Sequence, residues 1–223
     1  MIDHNFYASP VQASQTLITH ILEAMDKELE RPFTIALSGG TTPATLFEVW
    51  EREYAAYTPW SRIYFYWVDE QSNFGLAYRL LFSKVGIPAS HCYRIVGEDA
   101  PEEEAKQYSS IVKTTVPTVD GVPVFDFVLL GIGEDGHTSS IFPDHQELLT
   151  AGEPYEVSVN PYNKTVRICM TGRPLIEARH TCFLVTGENK CSILKEILDK
   201  NKEGVYPASY IWHHARNPQL YAS

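Results

Sequence analysis

The 223-residue chain lacks the features that mark several classes of protein. It has no apolar run approaching the roughly 18 residues that a membrane-crossing helix requires. Its first residues carry neither the basic nor the apolar stretch of a secretory signal peptide. Basic residues are in the minority, because 18 Lys and Arg face 28 Asp and Glu, for a net charge of −10. The first two absences lead us to expect a cytoplasmic protein. The negative charge leads us to expect no nucleic-acid and no membrane partner, because binding to either needs a basic surface.

Paired cysteines are missing as well. The chain has four cysteines (Cys92, Cys169, Cys182 and Cys191), and no two of them are spaced as a CxxC motif. The first three lie in or beside apolar runs, which is typical of buried free thiols in a reducing compartment. The spacing therefore gives no support for a structural zinc site.

No repeat, low-complexity segment or linker divides the chain, so we expect one domain over residues 1–223. Short apolar runs alternate with amphipathic helical patterns along it. Such alternation predicts an α/β fold built on a parallel sheet that is covered on both faces. The predicted strands are 33–37, 63–68, 92–96, 124–130 and 182–186, with a further pair at 156–159 and 166–170. The predicted helices are 10–29, 44–54, 73–85, 101–113, 175–179 and 189–199.

The most informative stretch covers residues 125–140, where an apolar run ends in glycines and an acid and a histidine follow. Open α/β sheets bind ligands just beyond the carboxyl ends of such strands. Neutral imidazole is a good general base at about pH 7, so His137 is the first catalytic candidate. Asp135 is a candidate to orient the imidazole if the chain turns between the two residues. The alternative interpretation is a glycine-rich turn that carries a solvated histidine.

Three further polar clusters follow or occupy predicted elements. Residues 38–43 read Ser-Gly-Gly-Thr-Thr-Pro, and their hydroxyls, flexible backbone and adjoining helix start suit a phosphate as well as a tight strand-to-helix turn. Asp69 and Glu70 close a strand, either as catalytic acids or as helix-capping residues. Arg167 lies within a strand and Lys190 at a helix start, where the helix dipole opposes a cation. A bound phosphate explains the position of both cations. The alternative interpretation is an ordinary ion pair for Arg167 and a solvated side chain for Lys190.

Taken in order, six blocks resemble the 6-phosphogluconolactonase family. The family's blocks are SGG[ST]TP, W-x-D-E, SN-[YF]-G, G-x-G-x-DGHT-x-S-x-FP, an R-[IV]-x-x-T strand and a G-x-x-K helix start. Here they stand at residues 38–43, 67–70, 72–75, 131–143, 167–171 and 187–190. The match spans nearly the whole chain, and DGHTSSIFP is its most specific part.

The resemblance implies a Rossmann-like, three-layer α/β/α fold with a mostly parallel sheet and a small strand-containing elaboration, shared with glucosamine-6-phosphate deaminases. It implies hydrolysis of 6-phosphoglucono-1,5-lactone to 6-phosphogluconate in the oxidative branch of the pentose phosphate pathway. It also implies that no metal or organic cofactor takes part. The expected partner is the small sugar phosphate itself, and the expected assembly is a monomer or a small homo-oligomer.

For this reaction we expect His137 to act as general base on water, with Asp135 orienting it and Asp69 contacting sugar hydroxyls or the water. Backbone N–H groups near residues 39–40 or Gly133 are candidates to stabilise the oxyanion. The residues expected to hold the phosphate are Ser38, Gly39, Gly40, Thr41, Thr42, Arg167 and Lys190.

One departure from the family pattern affects substrate binding. Relatives continue D-E-R-x-V-P at this point, whereas here Glu70 is followed directly by Gln-Ser-Asn at 71–73. The arginine expected to help hold the substrate is absent, so Arg167 and Lys190 are expected to carry more of the phosphate binding.

Three alternative functions stay open at this point. The first is a glucosamine-6-phosphate isomerase or deaminase, but those enzymes carry Asn-Glu-Pro where residues 141–143 read Ile-Phe-Pro, which favours the lactonase. The second is a non-catalytic sugar-phosphate sensor on the same fold. The third is a nicotinamide oxidoreductase, which the lack of a long helical pattern directly after Gly131, Gly133 and Gly136 disfavours.

Overall fold

The computed structural model describes residues 3–28, 31–39, 42–69, 72–96 and 100–223. Within these ranges the strands are β1 (Asp3–Phe6), β2 (Phe33–Leu37), β3 (Ile63–Trp67), β4 (Thr118–Val119), β5 (Val122–Pro123), β6 (Phe127–Leu130), β7 (Tyr155–Val159), β8 (Val166–Met170), β9 (His180–Val185) and β10 (Pro218–Ala222). Six of them form a central sheet in the order β1-β10-β9-β6-β2-β3, and every pair in it is parallel.

The helices flank this sheet, and all except the last follow the predicted amphipathic segments. They are α1 (Pro10–Lys27), α2 (Thr42–Val49), α3 (Ser72–Ala77), α4 (Ser83–Val85), α5 (Pro101–Thr115), α6 (Gly172–Glu177), α7 (Cys191–Leu198) and α8 (Pro207–His214). A π-helical turn continues α2, and another joins α3 to α4, so the predicted helices at 44–54 and 73–85 are confirmed as helical segments. The start of α1 shows why these residues form a helix, because the Ser9 side chain accepts a hydrogen bond from the Gln12 N–H and proline occupies the first turn.

The core lies on both faces of the sheet. Every residue of β2 and of β6 is buried, as expected for central strands that helices cover on both sides. α1 adds Leu17, Ile18 and Met25, each with no exposed surface. Burying a side chain of this size contributes about 1.5–3 kcal/mol to stability, so the sheet and α1 supply much of the hydrophobic stabilisation. The predicted α/β fold with a parallel sheet is confirmed.

The small elaboration is an antiparallel hairpin of β7 and β8. It is joined to the carboxyl end of β3, because the Met170 N–H donates to the Val68 carbonyl at 2.7 Å and the Tyr155 hydroxyl donates to the Trp67 carbonyl at 2.7 Å. The predicted pairing of these two strands is confirmed. The hairpin therefore stands beside the edge of the sheet where functional residues are expected.

Three predictions about local structure are wrong or incomplete. Residues 92–96 form no strand; a single bridge joins Cys92 to Phe65, and the next carbonyl, that of Tyr93, accepts from the Tyr108 hydroxyl instead of a sheet partner. The strands β1 and β10 were not predicted, since β1 has only four residues, most of them polar, and so gives no apolar run. α8 was also not predicted. None of the helices in the described ranges combines the length and apolarity that a bilayer crossing needs.

Candidate active site

A cleft of about 310 Å³ opens where the carboxyl ends of four strands meet. From β2 the chain adds β3 on one side of the sheet, then returns to add β6, β9 and β10 on the other. The boundary between β2 and β6 is thus the switch point at which such sheets bind ligands. The cleft has the size of a small-ligand site. Its wall includes Ser38, Gly39, Thr42, Asp69, His137 and Lys190.

The loop after β6 is held tightly by its own hydrogen bonds. The N–H of Gly133 donates to the carbonyl of His137 at 2.9 Å, and the Thr138 hydroxyl donates to the carbonyl of Gly131 at 2.9 Å. Gly136 makes the turn between them with a φ of +77°, a conformation that favours glycine. The turn brings the side chains of Asp135 and His137 together although only one residue separates them.

Asp135 and His137 form a hydrogen-bonded pair. The Nδ1 of His137 lies 2.5 Å from Oδ1 of Asp135, and the His137 backbone N–H donates to the same oxygen at 3.2 Å. The other oxygen, Oδ2, accepts from the hydroxyl of Tyr162 at 2.7 Å. Burial raises the pKa of Asp135, but the hydrogen bonds from His137 and Tyr162 outweigh it and hold the pKa well below its usual value.

This geometry fixes the chemistry of the imidazole. An ionised carboxylate only accepts hydrogen bonds, so Nδ1 of His137 carries the proton and Nε2 is left as the proton acceptor. The side chain is 34% exposed, which leaves it accessible to water and substrate. The ring of Phe142 packs against the imidazole with centroids 4.7 Å apart and restricts its movement.

Gly133 lies directly beneath this pair. A Cβ at this position would lie 2.5 Å from Oδ1 of Asp135 and would overlap Nδ1 and Cε1 of His137. The absence of a side chain at Gly133 is therefore what allows the close approach of the two groups.

Asp69 is the second carboxyl group of the cleft. Its Oδ2 accepts from the Ser140 hydroxyl at 2.7 Å, and the backbone N–H of Gly39 also donates to it. Burial raises the pKa of Asp69, while Ser140, the charge of Arg167 and that of His137 when it is protonated oppose the rise only in part. A carboxyl group held in this way, next to an imidazole, can bind hydroxyl groups of a ligand.

The turn that holds Asp69 adopts an unusual backbone. Ser139 and Ser140 both have a φ of 55°, the left-handed region. The Ser139 hydroxyl donates to the Met170 carbonyl at 2.7 Å, and the Ser158 hydroxyl donates to the Ser140 carbonyl at 2.7 Å. Contacts from the β7–β8 hairpin thus hold the two serines in a conformation that costs free energy.

The expected phosphate-binding residues divide into three groups. Ser38, Gly39 and Thr42 line the cleft together with Lys190, and α2 begins at Thr42, where a helix N-terminus favours an anion. Gly40 and Thr41 lie outside the described residues, as do Glu70 and Gln71. Arg167, in β8, forms the third group.

Arg167 is not part of the cleft wall. It lies in β8 opposite Ser158, close enough to Asp69 for its charge to lower the pKa of that carboxyl group. Among the ion pairs formed within the described ranges, none involves Arg167 or Lys190. The structure therefore brings Lys190 to the site directly, whereas Arg167 acts on it through Asp69.

Two of the three glycines expected to supply oxyanion donors use their N–H groups elsewhere, and the third, Gly40, lies outside the described residues. The N–H of Gly133 is used by the carbonyl of His137, so it is not free for an oxyanion. The N–H of Gly39 is engaged by Asp69. Both groups hold catalytic candidates in place instead.

Sequence reasoning assigned no role to three residues that the structure brings to the site. Ser140 and Phe142 belong to the DGHTSSIFP block, and membership of that block was the signal that could have identified them. Tyr162 gave no signal, because nothing local shows that the β7–β8 turn reaches Asp135.

The thiols lie away from the cleft wall. All four cysteines are free; Cys169 and Cys182 are buried as predicted, Cys92 is partly buried and Cys191 is exposed. In the part of the chain that the structure covers, the His, Cys, Asp and Glu side chains form no group of three or more that could hold a metal ion.

The chain was compared with known proteins. The family model for glucosamine-6-phosphate isomerases/6-phosphogluconolactonase matches residues 8–221. A 6-phosphogluconolactonase from Aggregatibacter actinomycetemcomitans is 37% identical over 195 residues, which are 83% of this chain and 82% of that protein. The crystal structure of devB protein superposes with a TM-score of 0.91 at 32% identity and covers 100% of this chain and 96% of its own. The 6-phosphogluconolactonase from Leishmania guyanensis superposes with a TM-score of 0.85 at 26% identity, with the same coverage. The chain therefore belongs to the glucosamine-6-phosphate isomerase/6-phosphogluconolactonase family.

Proposed function

We propose that the protein is a 6-phosphogluconolactonase, which hydrolyses 6-phospho-D-glucono-1,5-lactone to 6-phospho-D-gluconate in the oxidative branch of the pentose phosphate pathway. The observation that carries the proposal is that His137, whose Nδ1 lies 2.5 Å from Oδ1 of Asp135, lines the same cleft as Ser38, Gly39 and Lys190. The lactonases among the relatives support the same reaction.

In the mechanism that fits this geometry, Nε2 of His137 removes a proton from a water molecule while the water oxygen attacks C1 of the lactone. The C1 carbonyl becomes an oxyanion in a tetrahedral intermediate. When the carbonyl re-forms, the bond between C1 and the ring oxygen breaks, and the ring oxygen takes the proton back from the imidazolium. Asp135 stabilises the imidazolium between the two steps and keeps the correct tautomer.

Asp69 positions the sugar end of the substrate. Its carboxyl group lies on the cleft wall and is held by Ser140 and Gly39, so its position is fixed before substrate arrives. We assign it hydrogen bonds to sugar hydroxyls or to the attacking water.

The phosphate is held by the opposite chemistry, that of hydroxyl, N–H and ammonium donors. Ser38, Thr42 and Lys190 line the cleft and are assigned direct contacts. Gly39 lines the cleft beside them with its N–H bonded to Asp69, and Gly40 and Thr41 remain part of the proposal by sequence. Arg167 is assigned a supporting electrostatic role, since its charge already acts on Asp69.

The structure gives a reason to prefer the lactonase to a deaminase. The position at which the deaminase relatives are expected to carry a ring-opening glutamate holds Phe142 here, and its ring packs on the His137 imidazole. An apolar ring at this place cannot transfer a proton. It can exclude water from one face of the imidazole and keep the general base oriented.

The test is a coupled assay of 6-phosphogluconolactone consumption, corrected for spontaneous ring opening. We expect the wild-type protein to accelerate hydrolysis and His137→Gln to lower kcat by about 10²–10⁴-fold. The matched control is His145→Gln, because His145 bonds Glu147 at the surface and does not line the cleft. Release of ammonia from glucosamine 6-phosphate without lactone hydrolysis would contradict the proposal.

The proposal extends to the setting of the protein. We place the chain in the cytoplasm as a single domain over residues 1–223 that works as a monomer or small homo-oligomer. Four free thiols and one continuous hydrophobic core support this assignment. Size-exclusion chromatography with light scattering would determine the assembly.

A further inference from the structure

Tyr162 lies in the turn between β7 and β8 and reaches back to the loop after β6. The residue is 71% exposed, yet its hydroxyl donates to Oδ2 of Asp135 at 2.7 Å. The turn that carries it is ordered by backbone bonds from Asn160 to Thr165 and from Lys164 to Asn160, both at 2.9 Å. The Asn160 side chain also accepts the Tyr162 N–H at 2.9 Å. The tyrosine is thus held by its own backbone and not by burial.

We propose that Tyr162 is a positioning residue for the general base: its hydroxyl fixes the Asp135 carboxylate, which in turn fixes the imidazole of His137. The inference rests on the proposed function, since it requires His137 to be the base. Tyr162 is not among the residues that line the cleft, so it acts through Asp135 and not on the substrate.

The hydrogen-bond pattern of the carboxylate supports this role. Oδ1 of Asp135 serves the ring and the backbone of His137, and Oδ2 serves Tyr162. With both oxygens bonded, the carboxylate cannot rotate about its Cβ–Cγ bond without losing a partner. Removing the tyrosine hydroxyl frees that rotation and broadens the range of imidazole orientations.

The same hairpin also holds the other carboxyl group of the site. Ser158 in β7 donates to the Ser140 carbonyl, and Ser140 donates to Asp69. One hairpin therefore contacts Asp135 directly through Tyr162 and Asp69 through Ser140. The contact between Ser158 and Ser140 holds the hairpin beside the β6 loop, so that Tyr162 in the hairpin turn can reach Asp135.

The exposed position of Tyr162 separates positioning from stability. A side chain with little buried area contributes little hydrophobic stabilisation, so Tyr162→Phe is expected to fold normally. We expect kcat to fall roughly threefold to tenfold, the loss of one hydrogen bond, with KM within about twofold. Tyr57→Phe is the matched control, because Tyr57 is 77% exposed and does not line the cleft.

A pH profile adds a readout that a purely structural role would not move. Several charged groups lie around His137 and its partners. Asp135 bonds the imidazole, and Asp69 and Lys190 line the cleft with it. Arg167 lies near Asp69, and Asp144 lies near Tyr162. In Tyr162→Phe only the donor to Asp135 is lost, so the carboxylate becomes a better acceptor and stabilises the imidazolium. The acid limb of the kcat/KM profile should therefore move to higher pH.

A double-mutant cycle tests whether Tyr162 works through Asp135. In an Asp135→Ala background the tyrosine hydroxyl has no side-chain oxygen to bond, so adding Tyr162→Phe should change kcat by less than about twofold. If the two substitutions instead reduce kcat independently, so that their effects multiply, the proposed route through Asp135 is wrong.

A spectroscopic measurement keeps this inference separate from the proposed function. The Nδ1 proton shared by His137 and Asp135 gives a downfield NMR signal, identified by its loss in His137→Gln. We expect its position to change in Tyr162→Phe and to stay constant in Tyr57→Phe. If the wild-type protein hydrolyses no lactone, the proposed function fails, but this signal still decides whether Tyr162 acts on the pair. An unchanged signal in Tyr162→Phe overturns the inference.

Discussion

The substitution Gly133→Ala tests how the active-site pair is accommodated. An added Cβ would lie 2.5 Å from Oδ1 of Asp135, where ordinary van der Waals contact needs about 3.5 Å, and it would overlap two atoms of the His137 ring. The pair must therefore move by about 1 Å. Misplacing a catalytic group by this distance can cost about 10²-fold in rate, so we expect kcat to fall by about that factor. The backbone at Gly133 does not have a positive φ, so alanine itself is not strained there.

The assay is the corrected lactone-hydrolysis measurement, run beside thermal unfolding. Because the displaced atoms belong to partly exposed side chains, we expect the melting temperature to change little. Gly152→Ala is the control, since a Cβ at Gly152 meets nothing within 4 Å. A Gly133→Ala protein with kcat within about threefold of wild type would refute the reasoning that the pair depends on this glycine.

Three further predictions concern other parts of the molecule. Burial, with a neighbouring histidine, lowers the pKa of His180 to about 4. The unfolded chain protonates this histidine below about pH 6.5, whereas the folded chain does not until about pH 4. The free energy of unfolding should therefore fall by ~2 kcal/mol from about pH 7 to about pH 5. Urea titrations of His180→Asn should show a smaller fall over the same range. Asp126 is buried and bonds Arg31 through both oxygens, so Asp126→Asn should lower the free energy of unfolding by ~1–3 kcal/mol in urea titrations; no loss would contradict the assigned role. Lys190→Ala should raise KM about tenfold with a smaller change in kcat, whereas Lys195→Ala, on an exposed face, should leave both unchanged; equal KM values would remove Lys190 from phosphate binding.

Much of the fold followed from local patterns. The buried runs that form β2, β3, β6 and β9 are continuous apolar segments, so each was recognisable by itself. The terminal strands β1 and β10 were not, because they are edge or near-edge strands whose pairing comes from distant parts of the chain. The stretch at 92–96 was wrongly predicted as a strand, because an apolar run beside an edge strand can pack against the sheet without extending it.

The sequence by itself determined which reactive groups this protein carries and at which edge of the sheet they gather. Its polar blocks follow buried strands, and parallel strands place their carboxyl ends along one edge, so His137, Asp69 and the Ser38–Gly39 turn had to converge. Only the tertiary structure decided which groups are held and which are free. The place of Arg167 near Asp69 and the bond from Tyr162 to Asp135 depend on contacts between the β7–β8 hairpin, the β3 end and the β6 loop. Those contacts join residues that are far apart in the chain, and a local sequence pattern does not show which distant segments will pack together.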